Sequence, residues 1–378
     1  MNKNAALAIT GFALIAVTYG MARFSWGIML PDIRQAVPLT PQTAGLIAAC
    51  SYAAYCLSVF LASQLTARFG PRLPALLAAL TAAGGLFILA FAPSPLLLAV
   101  GLFIAGLSSG LASPSLAGAV SAGVKAERQR KVNTIINAGT SGGIILSVPV
   151  LFFVPGGWRI ACVIFALLAL ASLFPVWRYL PARGGEGEQA LRWRVLIRKP
   201  GMVRLSAIAL VSGIASAAWW SFGPELLQHH TGLSSATTNI LWLLSGGSGV
   251  AAVFTSSLAG RIGVRGVYRG SQLFMAVSLI ALSLSHGFAW WLVPVVAMSG
   301  AGYVILSGVL LVQGARVAEP SPAAGVSIAF LMLAVGQIIG SVAFGLLYEM
   351  VGAAGALLLF SGLSLSMLAV TPDAEHRA

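Results

Sequence analysis

The chain contains two copies of one pattern, separated by 193 residues. Residue types recur at this offset, without a gap, in two separate regions: Gly20, Trp26, Pro31 and Asp32 correspond to Gly213, Trp219, Pro224 and Glu225, and Ser63, Arg68, Gly70 and Arg72 correspond to Ser256, Arg261, Gly263 and Arg265. Chance is a poor explanation for so many matches in the same two regions. The repeat predicts two halves of one architecture, which we place at residues 1–185 and 201–378, joined by a polar, glycine-containing linker at 186–200.

Each half is too apolar for a water-soluble domain. Hydrophobic residues make up 58% of the chain and charged residues 8%, whereas soluble domains carry about 25% charged residues. Apolar runs longer than about 18 residues recur along the sequence, which is the pattern of membrane-spanning helices. They predict an all-α membrane protein with twelve transmembrane helices in two pseudo-symmetric six-helix bundles, at 5–30, 43–66, 73–92, 95–120, 132–154, 158–180, 201–224, 236–259, 267–286, 288–312, 323–348 and 353–371.

The distribution of positive charge supports this helix count and predicts an orientation. Of the 22 lysine and arginine residues, Arg34 and Arg159 fall on one side of the twelve-helix arrangement, Arg23 lies within a helix, and the other nineteen fall on the opposite side. Such an excess marks cytoplasmic loops. We therefore expect a multi-pass protein of the inner membrane with both termini in the cytoplasm. Membrane lipids are expected partners, nucleic acid is not, and we expect a monomer.

Other motifs narrow the class of protein. The His-Glu-x-x-His and P-loop motifs are absent from the sequence. The cysteines Cys50, Cys56 and Cys162 fall inside predicted helices and are too few for a disulfide framework or a zinc site. We expect no cofactor, no metal and no enzymatic activity. Two similar bundles can rock about a solute site, which favours a secondary transporter of a small molecule. A membrane-embedded enzyme or receptor is the alternative outside transport.

Two motifs give the chain a family resemblance. The segments from Ser63 to Arg72 and from Ser256 to Arg265 resemble the basic motif Gly-x-x-x-Asp-Arg-x-Gly-x-Arg of the major facilitator superfamily, and Trp158-Arg159 is similar to the start of its sixth helix. Within the superfamily, Gly20-Met-Ala-Arg23-Phe24 with Leu30-Pro31 is similar to the bacterial YbfB/YjiJ-type group. The resemblance implies alternating access, with helices one and seven facing each other across the cavity.

The resemblance also implies a cytoplasmic gating motif, made of Ser63, Arg68, Gly70, Arg72, Arg261, Gly263 and Arg265. Both copies lack the first glycine and the acidic residue of the family motif, since Ala67 and Gly260 stand at the acidic position. In the family that acid helps to latch the cytoplasmic side in the outward-facing state. We therefore expect the arginines to bind helix C-terminal carbonyls, lipid phosphates or acids elsewhere.

Arg23 is the residue that most restricts the solute. A guanidinium inside a membrane costs about 2.5–3.5 kcal/mol on insertion scales, so it normally faces the bundle interior and has a partner. One interpretation is a fork that binds a carboxylate or similar anion. The structural alternatives are pairing with Asp32 or a helix carbonyl, or snorkelling to the interface. The spacing places Tyr19, Arg23 and Trp26 on roughly one helical face.

Polar and aromatic residues inside other predicted helices are candidates for the lining of the same substrate-binding site. They are Tyr52, Tyr55, Asn137, Trp219, Trp220, Trp242, Tyr303 and Gln337. Aromatic rings beside an arginine suit a small organic anion with an apolar body. Efflux of lipophilic drugs is the alternative within transport. Interhelical hydrogen bonds and an interfacial aromatic belt are the structural alternatives for these residues.

The acidic residues bear on proton coupling. Asp32 and Glu225 are repeat mates at the outer ends of predicted helices one and seven, and they are our proton-coupling candidates. A buried carboxylate with a raised pKa is the usual proton carrier. The alternative is that both are solvated caps just outside the membrane. A facilitator or an anion exchanger would need neither, so protons are a candidate partner only.

Overall fold

The structure is a computed structural model that describes residues 3–154, 157–183, 196–248, 255–318 and 322–372. Within these residues the chain consists of helices joined by short turns, and it forms no strand. Most of the predicted linker at 186–200, and residues 249–254 of the predicted helix at 236–259, lie outside the described residues.

The first half begins with an interrupted span. Helix α1 (Lys3–Ile15) continues into a π-helical segment (Ala16–Met21), and α2 (Ser25–Ala36) follows after a three-residue turn. The next five helices are α3 (Pro41–Phe69), α4 (Arg72–Ala90), α5 (Pro95–Gly123), α6 (Ala126–Phe153) and α7 (Gly157–Tyr179). These match the six spans predicted for this half.

The second half is built in the same way. Its helices are α8 (Pro200–Glu225), extended by a π-helical segment (Leu226–His230), then α9 (Ser235–Ser248), α10 (Thr255–Ser283), α11 (Leu292–Val317) and α12 (Pro322–Ser366). Helices α10 and α12 each contain a glycine with φ of 75°, at Gly263 and Gly352, where one span ends and the next begins. Every predicted span of this half therefore overlaps a helix in the described residues.

The helices have the length and composition of membrane spans. Nine helical stretches among the described residues are long and apolar enough to cross a membrane. The predicted span 288–312 begins later than expected, at Leu292. The reason is a turn, in which Gly287 has a φ of 77° and its N–H group donates to the Thr231 carbonyl oxygen over 2.7 Å. The chain is thus an all-α, multi-pass membrane protein.

The chain divides into two compact units. The first comprises Met1–Leu39 and Leu46–Glu188, and the second comprises Thr40–Gly45 and Gln189–Ala378. Each unit has its own apolar core. In the first unit the core includes Leu14, Ala78, Leu116 and Val176, and in the second it includes Leu205, Tyr268, Leu306 and Ala329. Alanines make up much of both cores, which lets the helix backbones approach closely.

Candidate functional site

The first span is irregular just before Arg23. In the π-helical segment the Phe24 N–H group donates to the Tyr19 carbonyl oxygen over 2.9 Å, and the Ala22 N–H group donates to that of Val17 over 2.8 Å. These bonds join residues five apart, so the helix is wider here than an α-helix. Single π turns within helices occur frequently at functional sites. The irregularity places Arg23 in a turn rather than in the middle of a regular helix.

Four aromatic rings surround the guanidinium of Arg23. Its Cζ atom lies 4.4 Å from the ring centre of Tyr55, 4.9 Å from that of Tyr52, 5.5 Å from that of Phe24 and 5.7 Å from that of Tyr19. We call these four rings the Arg23 cage. The Arg23 side chain is only 7% exposed. Cation–π contacts of this kind contribute about 0.5–2 kcal/mol, more when desolvated, and so they offset part of the cost of burying the charge.

Neighbouring contacts hold the cage in place. Tyr52 and Tyr55 are three residues apart on α3, so both rings project from one face of that helix. The Tyr19 and Tyr55 rings meet edge to face with centroids 6.3 Å apart. The Tyr19 hydroxyl is hydrogen-bonded to the Ser113 hydroxyl of α5 over 2.6 Å. The rings of the cage therefore come from two spans of the first unit, the first span and α3, and α5 supports them through Ser113.

The structure brings together some of the predicted residues of the first half but not all. The predicted residues Tyr19, Tyr52 and Tyr55 meet Arg23 in the cage. Trp26 is buried on α2 and is not one of the four rings. The π turn explains this, because it shifts the helical phase between Tyr19 and Trp26. Asn137 lies on α6 with an exposed side chain and is not buried within the cage.

Phe24 and Ser113 belong to the cage and its support but were not among the predicted residues. Phe24 follows Arg23 directly in the sequence, which was an available signal for its proximity. Nothing in the sequence distinguishes Ser113 from the other helix serines.

In the second half, the predicted aromatic residues form one cluster. The Trp242 ring lies 5.7 Å from that of Trp219 and 5.6 Å from that of Trp220, and the Trp220 ring lies 5.2 Å from that of Tyr303. Gln337 joins them, because its Nε2 atom donates to the Tyr303 hydroxyl over 3.3 Å. We call these five residues the Trp cluster. All five were predicted as lining residues, and the structure brings them together.

A small cavity borders the Trp cluster within the second unit. Trp219, Trp220 and Tyr303 line one part of it, and Met275, Leu279 and Ser299 line another. The Trp219 indole N–H group is occupied, since it donates to the Ser245 hydroxyl over 2.9 Å. The Trp242 indole N–H group is buried and has no hydrogen-bond acceptor among the described residues. The cavity is thus mainly apolar and aromatic, with few polar groups at its wall.

The two proton-coupling candidates have different environments. The Glu225 side chain is completely buried at the end of α8, so the alternative of a solvated cap is wrong for this residue. Its Oε2 atom lies 3.7 Å from Nε2 of His229, one turn later, whose side chain is 51% exposed. Asp32 is only partly buried on α2. The pair of Glu225 and His229 therefore links a buried carboxylate to an accessible imidazole.

The first motif lies around the junction of α3 and α4, and the second lies around the kink at Gly263 within α10. Gly70 has a φ of 78° and Gly263 a φ of 75°, so the repeated glycine makes the same kind of turn twice. The Arg72 Nε atom donates to the Leu180 carbonyl oxygen, just beyond α7, over 2.9 Å. The Ser63 hydroxyl donates to the Val59 carbonyl oxygen within α3. Three arginines of the motif have exposed side chains: Arg68, Arg261 and Arg265.

Comparisons with known proteins agree with this architecture. One structure of the nucleoside transporter NupG has a TM-score of 0.78 with 15% sequence identity, over 98% of this chain and 99% of that chain. A structure of a NupG variant has a TM-score of 0.82 with 14% identity, over 97% of this chain and 98% of that chain. A POT family transporter in complex with a thioalcohol-conjugated peptide has a TM-score of 0.79 with 14% identity, over 97% of this chain and 94% of that chain. At this identity the likenesses show the fold alone.

The sequence itself matches the family model of the Major Facilitator Superfamily over residues 12–246. This match covers more than half of the chain. The protein therefore belongs to the Major Facilitator Superfamily and is a multi-pass membrane transporter, not an enzyme.

Proposed function

We propose that this transporter moves a small organic anion across the membrane and that Arg23 binds the anionic group. The observation that carries the proposal is the burial of Arg23 within a ring of aromatic side chains in the first unit. A buried guanidinium keeps its charge, and its planar fork can bind a carboxylate through two parallel hydrogen bonds. Such a group binds anions and repels cations.

The fold does not choose the solute. NupG is a nucleoside transporter, and the POT family structure contains a peptide conjugate, yet both share the fold of this chain. The chemistry of the buried side chains is a better guide to the substrate. The Trp cluster offers apolar and aromatic surface for the body of a solute, together with the amide of Gln337. This cluster is also what favours the second candidate function, efflux of lipophilic drugs.

Alternating access of the two halves is part of the proposal. Residues 1–185 and 201–378 would move relative to each other, with 186–200 as the cytoplasmic linker. The asymmetry of lysine and arginine supports an inner-membrane location with both termini in the cytoplasm. The exposed arginines Arg68, Arg261 and Arg265, with Arg72, would then lie at the cytoplasmic face and help to set the gate. We propose that one monomer is the working unit.

Proton coupling is assigned to Glu225 rather than Asp32 in this proposal. The reason is geometric, because the Glu225 side chain is completely buried whereas that of Asp32 is only partly buried. His229 gives the proton a route, because it is half exposed and lies next to Glu225. An anion that enters with a proton moves with less net charge than the anion alone.

Transport assays in liposomes test the proposal. Purified protein is reconstituted, and uptake of labelled organic acids is measured with and without an inward proton gradient. Arg23→Gln should reduce uptake by about a hundredfold, since it removes both the charge and the fork. The matched control is Arg178→Gln. Arg178 is exposed, and its Cζ atom also lies close to a tyrosine ring, 5.6 Å from the ring centre of Tyr179. Unchanged uptake in Arg23→Gln, or Arg23-independent efflux of ethidium, would favour drug efflux.

A further inference from the structure

We propose that the Arg23 cage selects planar carboxylates and excludes tetrahedral anions such as sulfonates and phosphonates. This inference rests on the proposed function, since it takes Arg23 as the anion site. It adds a substrate class, namely carboxylic acids. It also assigns the aromatic rings a role in substrate specificity, in addition to stabilising the buried charge of Arg23.

The first step is the room left around the guanidinium. The ring centres of Tyr55 and Tyr52 lie 4.4 and 4.9 Å from Cζ of Arg23, and those of Phe24 and Tyr19 lie within 5.7 Å. Rings at these distances occupy space that a bulky ligand group would otherwise use. The remaining exposure of the arginine is 7%. An incoming group therefore has a narrow approach to the guanidinium.

The second step is the shape of the anion. A carboxylate is flat, and when it binds a guanidinium through two parallel hydrogen bonds the two groups are coplanar. The complex is then only one atom thick beyond the fork. A sulfonate or phosphonate can place two oxygens on the same fork, but its third oxygen leaves that plane. With four ring centres within 5.7 Å of Cζ, we infer that this third oxygen would meet an aromatic side chain.

The third step is the rigidity of the rings, because a soft cage would adapt to either shape. The Tyr52, Tyr55 and Phe24 side chains are 5%, 7% and 6% exposed, so all three are packed on most sides. Tyr19 is held by its hydrogen bond to Ser113 and by its edge-to-face contact with Tyr55. Buried aromatic side chains in such contacts resist displacement. Steric selection follows from this rigidity.

A head-group series tests the inference directly. Benzoate, benzenesulfonate, phenylphosphonate and benzamide share one phenyl body, and their binding to the purified protein is measured by isothermal titration calorimetry. We expect benzoate to bind at least about tenfold more tightly than the other three, a discrimination within the range that a shaped site achieves. Benzoate and benzenesulfonate carry the same charge, so net charge does not account for a difference between them. The sulfonate oxygens also accept hydrogen bonds more weakly, and the Tyr55 variants separate this effect from shape.

Variants of Tyr55 separate the ring from its hydroxyl. Tyr55→Phe keeps the ring and should keep the preference for benzoate. Tyr55→Leu removes the ring closest to Cζ and should narrow the gap between benzoate and benzenesulfonate by about threefold or more. The control is Tyr179→Leu, which removes the ring next to the exposed Arg178. Size-exclusion profiles show which variants fold. If Tyr55→Leu does not fold, Tyr52→Leu is measured in its place, because Tyr52 is the ring second closest to Cζ.

The outcomes distinguish this inference from the proposed function. Equal affinity for benzoate and benzenesulfonate, lost for both in Arg23→Gln, would overturn carboxylate selection and leave the anion site standing. Equal affinity for benzoate and benzamide, unchanged in Arg23→Gln, would overturn the anion site and the selection together. Absence of benzoate binding in the wild type would also overturn the selection.

Discussion

Gly20 and Gly143 bring two helical segments of the first half so close together that a Cβ atom on Gly20 would lie 2.4 Å from the Cα atom of Gly143. Their repeat mates behave alike, since a Cβ atom on Gly213 would lie 3.1 Å from the Cα atom of Gly336. The same pair of glycines thus joins the π-helical segment to α6 and α8 to α12. The 193-residue repeat of the sequence is therefore also a repeat of helix–helix contacts. Within a membrane, close approach of this kind replaces the hydrophobic drive between helices.

We predict that Gly20→Ala and Gly143→Ala destabilise the protein. A methyl group at either position meets backbone atoms that cannot rotate away, and overpacking of this kind costs about 1–3 kcal/mol. The measurement is the apparent melting temperature of the purified protein in detergent. The control is Gly84→Ala in α4, where a Cβ atom would lie within 4 Å of no neighbouring atom in the part of the chain that the structure describes. Melting of Gly20→Ala at the control's temperature would contradict the packing argument.

Much of the fold follows from the sequence because hydropathy and length determine membrane spans. The span predicted at 43–66 is observed as Pro41–Phe69, and that at 158–180 as Gly157–Tyr179. The π turn at Ala16–Met21 was not predicted, since a bond between residues five apart leaves no mark on hydropathy. A turn was predicted at residue 287, between the spans 267–286 and 288–312, but the observed turn is longer, because one helix ends at Ser283 and the next begins at Leu292.

The sequence singled out most of the side chains that form the Arg23 cage and the Trp cluster, but not Phe24 or Ser113, and not which side chains meet. A charged residue inside an apolar span identified Arg23, and polar residues in other spans identified Tyr52, Tyr303 and Gln337. Which of them meet depends on helix rotation, and the π turn changed that rotation for Trp26. The burial of Glu225 was likewise invisible, because a carboxylate at a helix end is usually solvated. Both depend on tertiary packing, which residue types and their spacing along the chain do not reveal.

We predict that Arg23→Lys transports an organic anion at least about tenfold more slowly than the wild type. Lysine keeps the positive charge but loses the planar two-pronged geometry, and its compact ammonium fits the four rings of the cage less well than a flat guanidinium. Uptake into liposomes is the measurement. Arg178→Lys is the matched control. A lysine variant as active as the wild type would show that charge alone, without the fork, determines binding.

We predict that Glu225→Gln loses proton-driven accumulation but keeps exchange of substrate across the membrane. The amide preserves the volume of the buried side chain and removes its proton-binding charge. Accumulation under an inward proton gradient and counterflow without a gradient are measured on the same liposomes. His229→Gln should slow accumulation only partly, since the imidazole is half exposed. Asp32→Asn should have a smaller effect than Glu225→Gln, and the reverse order would move the coupling role to Asp32.

We predict a ranked loss of stability for three glycine variants. Gly263 has φ of 75° and ψ of 158°, a region open essentially to glycine alone, so Gly263→Ala should cost about 1–3 kcal/mol. Gly70→Ala should cost more, because its Cβ atom would also lie 2.1 Å from the Ala182 carbonyl oxygen. Gly260→Ala, three residues before Gly263, should cost nothing, because a Cβ atom there would lie within 4 Å of no neighbouring atom among the described residues. Melting temperatures in any other order would argue against the repeated turn.

We predict that the two arginines of the first motif act differently. Arg72→Ala should lower stability by about 1.5–3 kcal/mol, because it removes a charged hydrogen bond to the Leu180 carbonyl oxygen and leaves that helix end without its donor. Arg68→Ala should leave the melting temperature unchanged, since the Arg68 side chain is exposed.

The double variant Arg68→Ala, Arg261→Ala should slow transport at normal expression, as expected for residues that set the cytoplasmic gate. Thermal melting and initial uptake rates separate the two effects. Equal melting of the Arg72 and Arg68 variants would refute the structural role of Arg72, and normal uptake by the double variant would refute the gating role of Arg68 and Arg261.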